Sequence, residues 1–224
     1  AVGPKLPGAL FEGCPLALVQ VTGAGVDRLD EAALKRLGIP VANVPGGSNG
    51  AVAEYAAPAA PTLLRRLAWA DAEIKAGNYQ PFRARMVAEN LAGLHGLRVG
   101  IVGLGTIGLA VANAFRAFGC RLAYHDPAPK DPAAAQGLDA LALDALLAQS
   151  DVVTLHVPLV PATQNLIGAA QLAQMKRGAI LVNAARGGIV DEAALVAALG
   201  SGHLGGHAVE VFSNPAPAPG KELF

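Results

Sequence analysis

Three glycines in the segment Gly103-Leu104-Gly105-Thr106-Ile107-Gly108 could bring the peptide backbone close to phosphate groups. The pattern G-x-G-x-x-G is weak evidence alone in a chain with 27 glycines, but here it follows a short apolar run and opens an amphipathic stretch. The first glycine permits a tight turn, the second lets the backbone approach a pyrophosphate, and the third lets a helix pack closely on a strand. Backbone N–H groups and the positive end of the helix dipole then face the phosphates. The segment therefore predicts a dinucleotide-binding turn.

Asp126 lies at the end of the next apolar run, in the acidic position that such a turn requires. Its carboxylate can accept hydrogen bonds from the adenosine ribose hydroxyls but would repel a 2′-phosphate, so the sequence favours NAD over NADP. Lys130 follows closely and weakens this preference slightly. The alternative is a glycine-rich turn that only packs a helix on a sheet, with Asp126 as a solvated loop residue. The register of strand, helix and acid favours the nucleotide site.

Arg186 follows the apolar run Ala179–Asn183, within the segment Asn183-Ala184-Ala185-Arg186-Gly187-Gly188. In open α/β sheets, ligands bind beyond the carboxyl ends of the strands. A guanidinium group there can bind a planar carboxylate through two hydrogen bonds and polarise an adjacent carbonyl group. We therefore predict a carboxylate-binding role for Arg186, the alternative being an exposed arginine near a helix start.

Short apolar runs alternate with amphipathic stretches along the chain, which predicts βα units around a parallel sheet. A first unit is expected before the glycine segment, with strands at Leu16–Val21 and Ile39–Val44 and a helix capped by Asp30 that ends near Gly38. The remaining predicted strands are Arg98–Val102, Arg121–His125, Val152–His156, Ala179–Asn183 and Gly206–Val211. The remaining predicted helices are Thr106–Phe118, Leu143–Gln149, Ala169–Met175 and Glu192–Leu199. This pattern predicts an α/β fold of the Rossmann type, a doubly wound parallel sheet.

The segment between these two regions is harder to interpret. Its alanine-rich part, about Ala51 to Gly77, favours a helix, but Pro58 and Pro61 each remove a backbone donor. We expect this helix to start late or to be kinked at the prolines, and we expect residues Asn78 to Leu94 to form a surface loop.

Composition excludes several classes of protein. The 224 residues are 53% hydrophobic, and 17 basic residues balance 17 acidic ones, so neither nucleic acid nor an anionic membrane is an expected partner. The most apolar stretch, Val99 to Ala112, is too short to span a bilayer, and the first residues do not resemble a signal peptide. Cys14 and Cys120 lie outside any metal-ligand spacing and are expected to be reduced thiols of a soluble, cytoplasmic protein with no metal site.

Several segments, in this order, resemble the D-isomer-specific 2-hydroxyacid dehydrogenases, a family that includes phosphoglycerate dehydrogenase and the glyoxylate and hydroxypyruvate reductases. These segments are Gly23-Ala24-Gly25-Val26-Asp27, Val52-Ala53-Glu54, Gly103 to Gly108, His156-Val157-Pro158-Leu159 with Thr163, and Asn183 to Asp191. The resemblance implies an NAD-dependent oxidoreductase that transfers a hydride between nicotinamide and a small 2-hydroxy or 2-keto acid, and usually a homodimer. It also implies a second, smaller, flavodoxin-like α/β substrate domain. Residues 1–48 would be part of that domain, and residues 49–224 would form the NAD-binding domain with an amino-terminal linker helix.

The resemblance also implies roles for individual residues. Arg186 would bind and orient the substrate, which Ala24 and Gly25 would face from the other domain. The cofactor would be bound by residues of five segments: Gly103, Gly105, Thr106, Ile107 and Gly108; Asp126; His156, Val157, Pro158 and Thr163; Ala184 and Ala185; and Glu210.

Three departures from the family pattern bear on mechanism. Glu210 stands where the family has an Asp, and Asn214 stands near where a Glu or Gln is expected before a proline. The acid–base histidine of the family lies in a later Pro-His segment, so we expect the chain to end at Phe224 before reaching it and to lack the front of the substrate domain. No convincing replacement is found among His95, His125, His156, His203 and His207.

Two alternatives to an enzyme remain open, a co-repressor-like protein controlled by NAD(H) and an inactive nucleotide-binding module of the same fold. An exposed hydrophobic peptide groove would favour the first, and NADH binding without turnover would favour either one. The sequence does not name the substrate. Val21 and Thr22, which precede Gly23, provide no cation for a phosphorylated acid.

Overall fold

A parallel six-stranded sheet is the main feature of the computed structural model, which describes residues 6–89 and 93–211. A separate pair of parallel strands lies nearer the amino terminus. The strands are β1 (Val19–Gln20), β2 (Val41–Ala42), β3 (Arg98–Val102), β4 (Arg121–His125), β5 (Leu138–Ala140), β6 (Val152–Leu155), β7 (Ile180–Asn183) and β8 (Gly206–Val209). The helices are α1 (Glu31–Arg36), α2 (Asn49–Leu64), α3 (Leu67–Lys75), α4 (Tyr79–Ala88), α5 (Thr106–Ala117), α6 (Leu143–Gln149), α7 (Ala169–Gln174) and α8 (Glu192–Gly200).

The strand order in the large sheet is β5-β4-β3-β6-β7-β8, and every pairing is parallel. Counted along the chain, this is the order 3-2-1-4-5-6 of the doubly wound dinucleotide-binding fold. The predicted α/β Rossmann-type sheet is thus confirmed. The edge strand β5 was not predicted, because three residues are too few to show a periodicity. The order reverses between β3 and β6, which is where such folds form their ligand crevice.

Helices cover both faces of this sheet. On one face, α2 and α5 pack on the strands and on each other, and α6, α7 and α8 cover the opposite face. The face of α2 that meets α5 is built from buried alanines, Ala53, Ala56, Ala57 and Ala60. Because alanine side chains are short, the two helices can approach closely, which places the start of α5 firmly against the sheet.

The amino-terminal unit has a small core of its own. Phe11, Leu29, Leu34 and Ile39 are buried together between α1 and the β1–β2 pair. The Asp30 carboxylate caps α1 by accepting a hydrogen bond from the N–H of Ala33 at 2.9 Å, as expected. The strands themselves are shorter than predicted, each with two residues.

Of the two expectations for α2, the late start is wrong, whereas a kink at its prolines stays a prediction. It begins at Asn49 and continues through Pro58 and Pro61 to Leu64. One carbonyl near the prolines accepts a side-chain hydrogen bond, because the Thr62 hydroxyl donates to the Pro58 carbonyl at 2.9 Å. The packed alanine face stabilises the helix enough to tolerate the lost backbone bonds.

The surface loop expected from Asn78 to Leu94 is also wrong, because most of this segment is helix α4. Phe82 of α4 is buried and packs edge-on against Trp69 of α3, with ring centroids 4.7 Å apart. The Arg85 guanidinium lies 4.5 Å from the centroid of the same indole. This pairing of helices, rather than any hydrophobic periodicity, stabilises α4, so the sequence pattern did not reveal it.

Candidate active site

The turn after β3 has the geometry that its glycines predict. Gly103 has φ +92°, a conformation that favours glycine, and a Cβ there would lie 2.7 Å from the His156 carbonyl oxygen. A Cβ on Gly108 would overlap the Gly103 carbonyl oxygen, so its absence lets α5 pack against the turn. A Cβ on Gly105 would meet no atom within 4 Å, and no side chain caps the first N–H groups of α5. The turn therefore presents backbone donors beside open space, with Thr106 and Ile107 in the first helical turn.

Asp126 is tied to this turn at the end of β4. One carboxylate oxygen, Oδ2, accepts a hydrogen bond from the Leu104 N–H at 2.8 Å, and Oδ1 accepts one from the Ala128 N–H at 2.9 Å. The Lys130 ammonium lies 2.7 Å from Oδ2, and only 11% of the Asp126 side chain and 18% of the Lys130 side chain are exposed. Burial by itself would raise the pKa of Asp126, but the hydrogen bonds from Lys130, Ala128 and Leu104 outweigh it and lower the pKa below its ordinary value. The acid is thus ionised, and a cation sits directly on it.

The segment after β6 lies against the same turn. A Cβ on Gly103 would come within 2.8 Å of Val157 Cγ1. Thr163 holds the following turn together, since its hydroxyl donates to the Pro158 carbonyl at 2.6 Å and accepts from the Val160 N–H at 2.9 Å. The structure therefore brings Val157 and Pro158 to the edge of the predicted nucleotide site, with Thr163 as the residue that shapes this edge.

The ring of His156 faces the interior of the protein. Its Nε2 is 2.8 Å from the Thr154 hydroxyl, and its Nδ1 is buried without a hydrogen-bond partner. Burial lowers the pKa of His156 from 6.5 to about 4. The imidazole is therefore neutral at pH 7, so its backbone, and not its ring, borders the crevice.

Asn183 shapes the turn that carries Arg186. This residue ends β7, and only 3% of it is exposed. Its Oδ1 accepts from the Ala185 N–H at 3.2 Å, and its Nδ2 donates to the Arg186 carbonyl at 2.9 Å. Ala184 and Ala185 are buried beneath the turn. The sequence did not reveal that Asn183 holds this turn together. An amide side chain at the end of a strand is the feature that could have indicated it.

Arg186 reaches across to the amino-terminal unit. Its Nε donates to both carboxylate oxygens of Asp27, at 3.1 and 3.2 Å, and its Nη1 donates to the Ala185 carbonyl at 2.8 Å. A Cβ on Gly25 would overlap the guanidinium, so this glycine lets the loop approach Arg186. The neighbouring Ala24 carbonyl accepts from the Asn43 amide at 2.7 Å. The structure thus places Gly25 and Asp27 against Arg186, with Ala24 next to Gly25 in the same loop, and the contact with Asp27 was not predicted from the sequence.

Glu210 follows β8 at the same end of the sheet. Its backbone N–H donates to the Asn183 carbonyl at 3.1 Å, and its side chain is exposed. Burial raises the pKa of the Tyr55 hydroxyl in α2, and the nearby negative charge of Glu210 raises it further. Glu210 therefore lies near Tyr55 of α2, close to the carboxyl ends of β7 and β8. Asn214 lies outside the described residues.

The remaining histidines occupy separate places in the fold. His125 and His203 each place one ring nitrogen 3.0 Å from a backbone carbonyl, those of Leu141 and Leu172. His207 lies within β8 with a buried, unpartnered Nε2, and burial lowers its pKa to about 4 despite the opposing effect of Glu192. His95 is exposed. His207 lines a small cavity with Asn183, Gly187 and Gly188 of the Arg186 turn, but its ring is neutral at pH 7.

No helix within the described residues, 6–89 and 93–211, is long and apolar enough to cross a membrane. Within the same ranges, no three His, Cys, Asp or Glu side chains cluster closely enough to hold a metal ion.

Comparison with known proteins relates this geometry to a family. Residues 59–224 match the family model described as "D-isomer specific 2-hydroxyacid dehydrogenase, NAD binding domain". A D-lactate dehydrogenase of Curvularia clavata is 42% identical over 84% of the chain, which spans 53% of that relative. A D-3-phosphoglycerate dehydrogenase of Archaeoglobus fulgidus is 38% identical over 93% of the chain, which spans 39% of that relative. The chain thus spans about two fifths to one half of the length of these curated relatives.

Solved structures agree with the sequence matches. The D-lactate dehydrogenase of Aquifex aeolicus, complexed with NAD and lactic acid, superimposes with a TM-score of 0.84 and is 32% identical, covering 94% of this chain and 62% of its own. A glyoxylate reductase from Paecilomyes thermophila also gives a TM-score of 0.84 at 34% identity, covering 99% of this chain and 66% of its own. The turn after β3, Asp126 and the Arg186 turn all fall within the matched residues.

Proposed function

Because this chain belongs to the D-isomer specific 2-hydroxyacid dehydrogenase family, we propose that it takes part in hydride transfer between NAD and a small 2-hydroxy or 2-keto acid. The observation that carries the proposal is the position of Arg186. It follows β7, which is separated from β3 by β6 alone, and its guanidinium lies against the loop at Gly25. A cation so placed can bind the carboxylate of an acid that lies between the two units of the chain.

The residues of the crevice fit a dinucleotide. Open space at Gly105 and the uncapped N–H groups of α5 suit a pyrophosphate, and the ionised Asp126 suits ribose hydroxyls. We assign cofactor contacts to the glycine turn with Thr106 and Ile107, to Asp126, and to the edge formed by His156, Val157, Pro158 and Thr163. Ala184, Ala185 and Glu210 would border the nicotinamide end, because they follow β7 and β8.

The chemistry divides between cofactor and protein. When bound, NAD supplies or accepts the hydride. Arg186 binds the substrate carboxylate and, as negative charge grows on the carbonyl oxygen during reduction, stabilises that oxygen. The oxygen must then receive a proton, which water would supply in the absence of a placed acid. His156 is unsuited to this step, because its ring is buried and neutral at pH 7.

Three further proposals concern the whole molecule. Residues 1–48 would belong to a substrate domain, since β1, β2 and α1 surround a separate core, and residues 49–224 would form the NAD-binding domain that begins with α2. A homodimer would cover the α3–α4 hairpin, where α3 has no buried residue and large apolar side chains are exposed: Leu67, Ile74, Tyr79 and Val87. A cytoplasmic location would suit Cys14 and Cys120, which are both free thiols.

The test is NADH oxidation by the purified protein, followed by absorbance, with glyoxylate, pyruvate and hydroxypyruvate. We expect turnover with one or more of these acids. Arg186→Ala should reduce kcat/KM by about 10³-fold or more, because losing both the contact with the substrate carboxylate and the stabilisation of the transition state costs about 4 kcal/mol. The Kd for NADH should change less than about twofold. Arg121→Ala, an exposed arginine at the start of β4, is the matched control. The proposal would be overturned by retained turnover in Arg186→Ala, by no NADH binding in the wild type, or by NADH binding without turnover of any 2-keto acid.

A further inference from the structure

The Arg186 guanidinium is held on one edge by a residue of the other unit of the chain. Its Nε–H lies between the two Asp27 oxygens, at 3.1 and 3.2 Å, and 159 residues separate the two partners in sequence. Both side chains are mostly shielded from solvent, with 32% of Arg186 and 27% of Asp27 exposed. A carboxylate at this distance is a strong and directional partner for a guanidinium.

The remaining contacts fix the direction in which the guanidinium points. Nη1 donates to the Ala185 carbonyl at 2.8 Å, which leaves its second N–H for another acceptor. Nη2 lies where a Cβ on Gly25 would be, against the loop that leads to Asp27. The Nε–H is thus bonded to Asp27 and one Nη1 N–H to Ala185, so a ligand would have to bind through the remaining N–H groups of Nη1 and Nη2.

We propose that Asp27 is a positioning residue for the proposed 2-keto acid reaction, which directs the terminal edge of Arg186, formed by Nη1 and Nη2, at the substrate carboxylate. The inference rests on the proposed function and deepens it, because it names how the acid must bind. The substrate carboxylate binds end-on to Nη1 and Nη2, since the Nε edge is already occupied. Asp27 itself does not touch the substrate.

The loop from Gly23 to Asp27 would therefore also restrict the rotamers of Arg186. A guanidinium without a partner at Nε can rotate about its long side chain among many rotamers, and a substrate would have to select the productive one. Asp27 removes that requirement before the acid arrives. Its loss should therefore raise the KM for the acid much more than it lowers kcat.

The experiment compares Asp27→Ala and Asp27→Asn with the wild type in two measurements. The first is ¹⁵N NMR of the arginine Nε–H groups, in which the Arg186 signal, assigned by its loss in Arg186→Lys, should be protected from exchange in the wild type. The second is calorimetric binding of oxamate, a carboxylate that NADH cannot reduce, to the NADH-saturated protein. We expect Asp27→Ala to lose the protected Nε–H signal and to weaken oxamate about 10- to 100-fold, with an unchanged Kd for NADH. Asp27→Asn keeps an oxygen acceptor and should recover part of both.

Two further variants separate positioning from a structural effect. Asp30→Ala removes the cap of α1 in the same segment, so it should lower stability and leave oxamate affinity unchanged. In the Arg186→Lys background, which has no Nε edge, Asp27→Ala should change oxamate binding less than twofold.

The outcomes distinguish the two proposals. A wild type that binds NADH but no oxamate and turns over no 2-keto acid refutes the proposed function, and this inference falls with it. If the wild type binds oxamate and Asp27→Ala binds it equally or more tightly, the inference alone is overturned, because Asp27 would then be neutral or a competitor of the substrate. Independent, additive effects of the Asp27 and Arg186 substitutions overturn it as well.

Discussion

Two buried histidines should make the stability of this protein fall steeply between pH 7 and pH 5. His156 and His207 have their pKa lowered from 6.5 to about 4 by burial, and each has a ring nitrogen without a partner. Within this pH range each ring takes up a proton when the chain unfolds and stays neutral in the folded state. Because the unfolded state binds more protons, the free energy of unfolding decreases as the pH falls.

The magnitude follows from the two pKa values of each ring. For a pKa of 6.5 unfolded and about 4 folded, lowering the pH from 7 to 5 costs about 2 kcal/mol per histidine. The two together cost about 4 kcal/mol, a large part of the about 5–15 kcal/mol typical of a domain. Asp126 contributes little here, because its unfolded pKa of 3.8 lies below the range.

The assay is urea unfolding followed by the fluorescence of Trp69, the single tryptophan of the chain, at pH 7 and pH 5. His156→Gln and His207→Gln replace a titrating ring with a neutral amide. Each should halve the loss of stability on acidification, and the double variant should nearly abolish it. His95→Gln, at an exposed position, is the control and should lose as much stability as the wild type.

The quantity to compare is the difference between the two pH values within each variant, since each substitution also changes the stability at pH 7. A double variant that still loses about 4 kcal/mol would refute the reasoning. It would mean that other groups take up the protons and that His156 can be charged in the folded protein, which would reopen it as a proton donor.

Three more changes test other parts of the structure. Lys130→Met removes the cation that pairs with Asp126, so the preference for NADH over NADPH should rise about tenfold. The preference is measured as the ratio of the two Kd values, and an unchanged ratio would contradict a role for this cation. Gly108→Ala adds a Cβ that overlaps the Gly103 carbonyl oxygen, which should lower the free energy of unfolding in urea by about 1–3 kcal/mol and weaken NADH binding. Wild-type stability together with wild-type NADH affinity would contradict the close packing of α5. Ile74→Asp should dissociate a dimer in sedimentation equilibrium, whereas Leu10→Asp, also exposed, should not; dissociation by both or by neither would contradict the proposed interface.

Much of the candidate site could be predicted from short segments. Gly103 has a positive φ and Gly108 makes a close contact with the backbone, and both features depend on six consecutive residues. Arg186 and Asp126 were predicted from their position at strand ends, because parallel strands bring their carboxyl ends to one edge. Such features depend on local chain geometry and on a strand order that the regular βα alternation implies.

Helix α4 shows where this kind of prediction fails. Its segment has no apolar periodicity, and it is helical because Phe82 packs on Trp69 of the neighbouring helix. Helix α2 shows the opposite case, since Pro58 and Pro61 indicate a late start or a kink, and the packed alanine face stabilises a helix that begins before both prolines and continues through them. In both cases a tertiary contact outweighs the local preference.

The sequence by itself determined that this chain has a Rossmann-type sheet with a glycine turn, an acid and an arginine at one edge. Only the tertiary structure decided how these groups are partnered. It places Lys130 on Asp126, Asp27 on the Nε edge of Arg186, and the His156 ring in the interior. The physical reason is that charge pairing and burial depend on distances between segments, here as many as 159 residues apart, which no local pattern records.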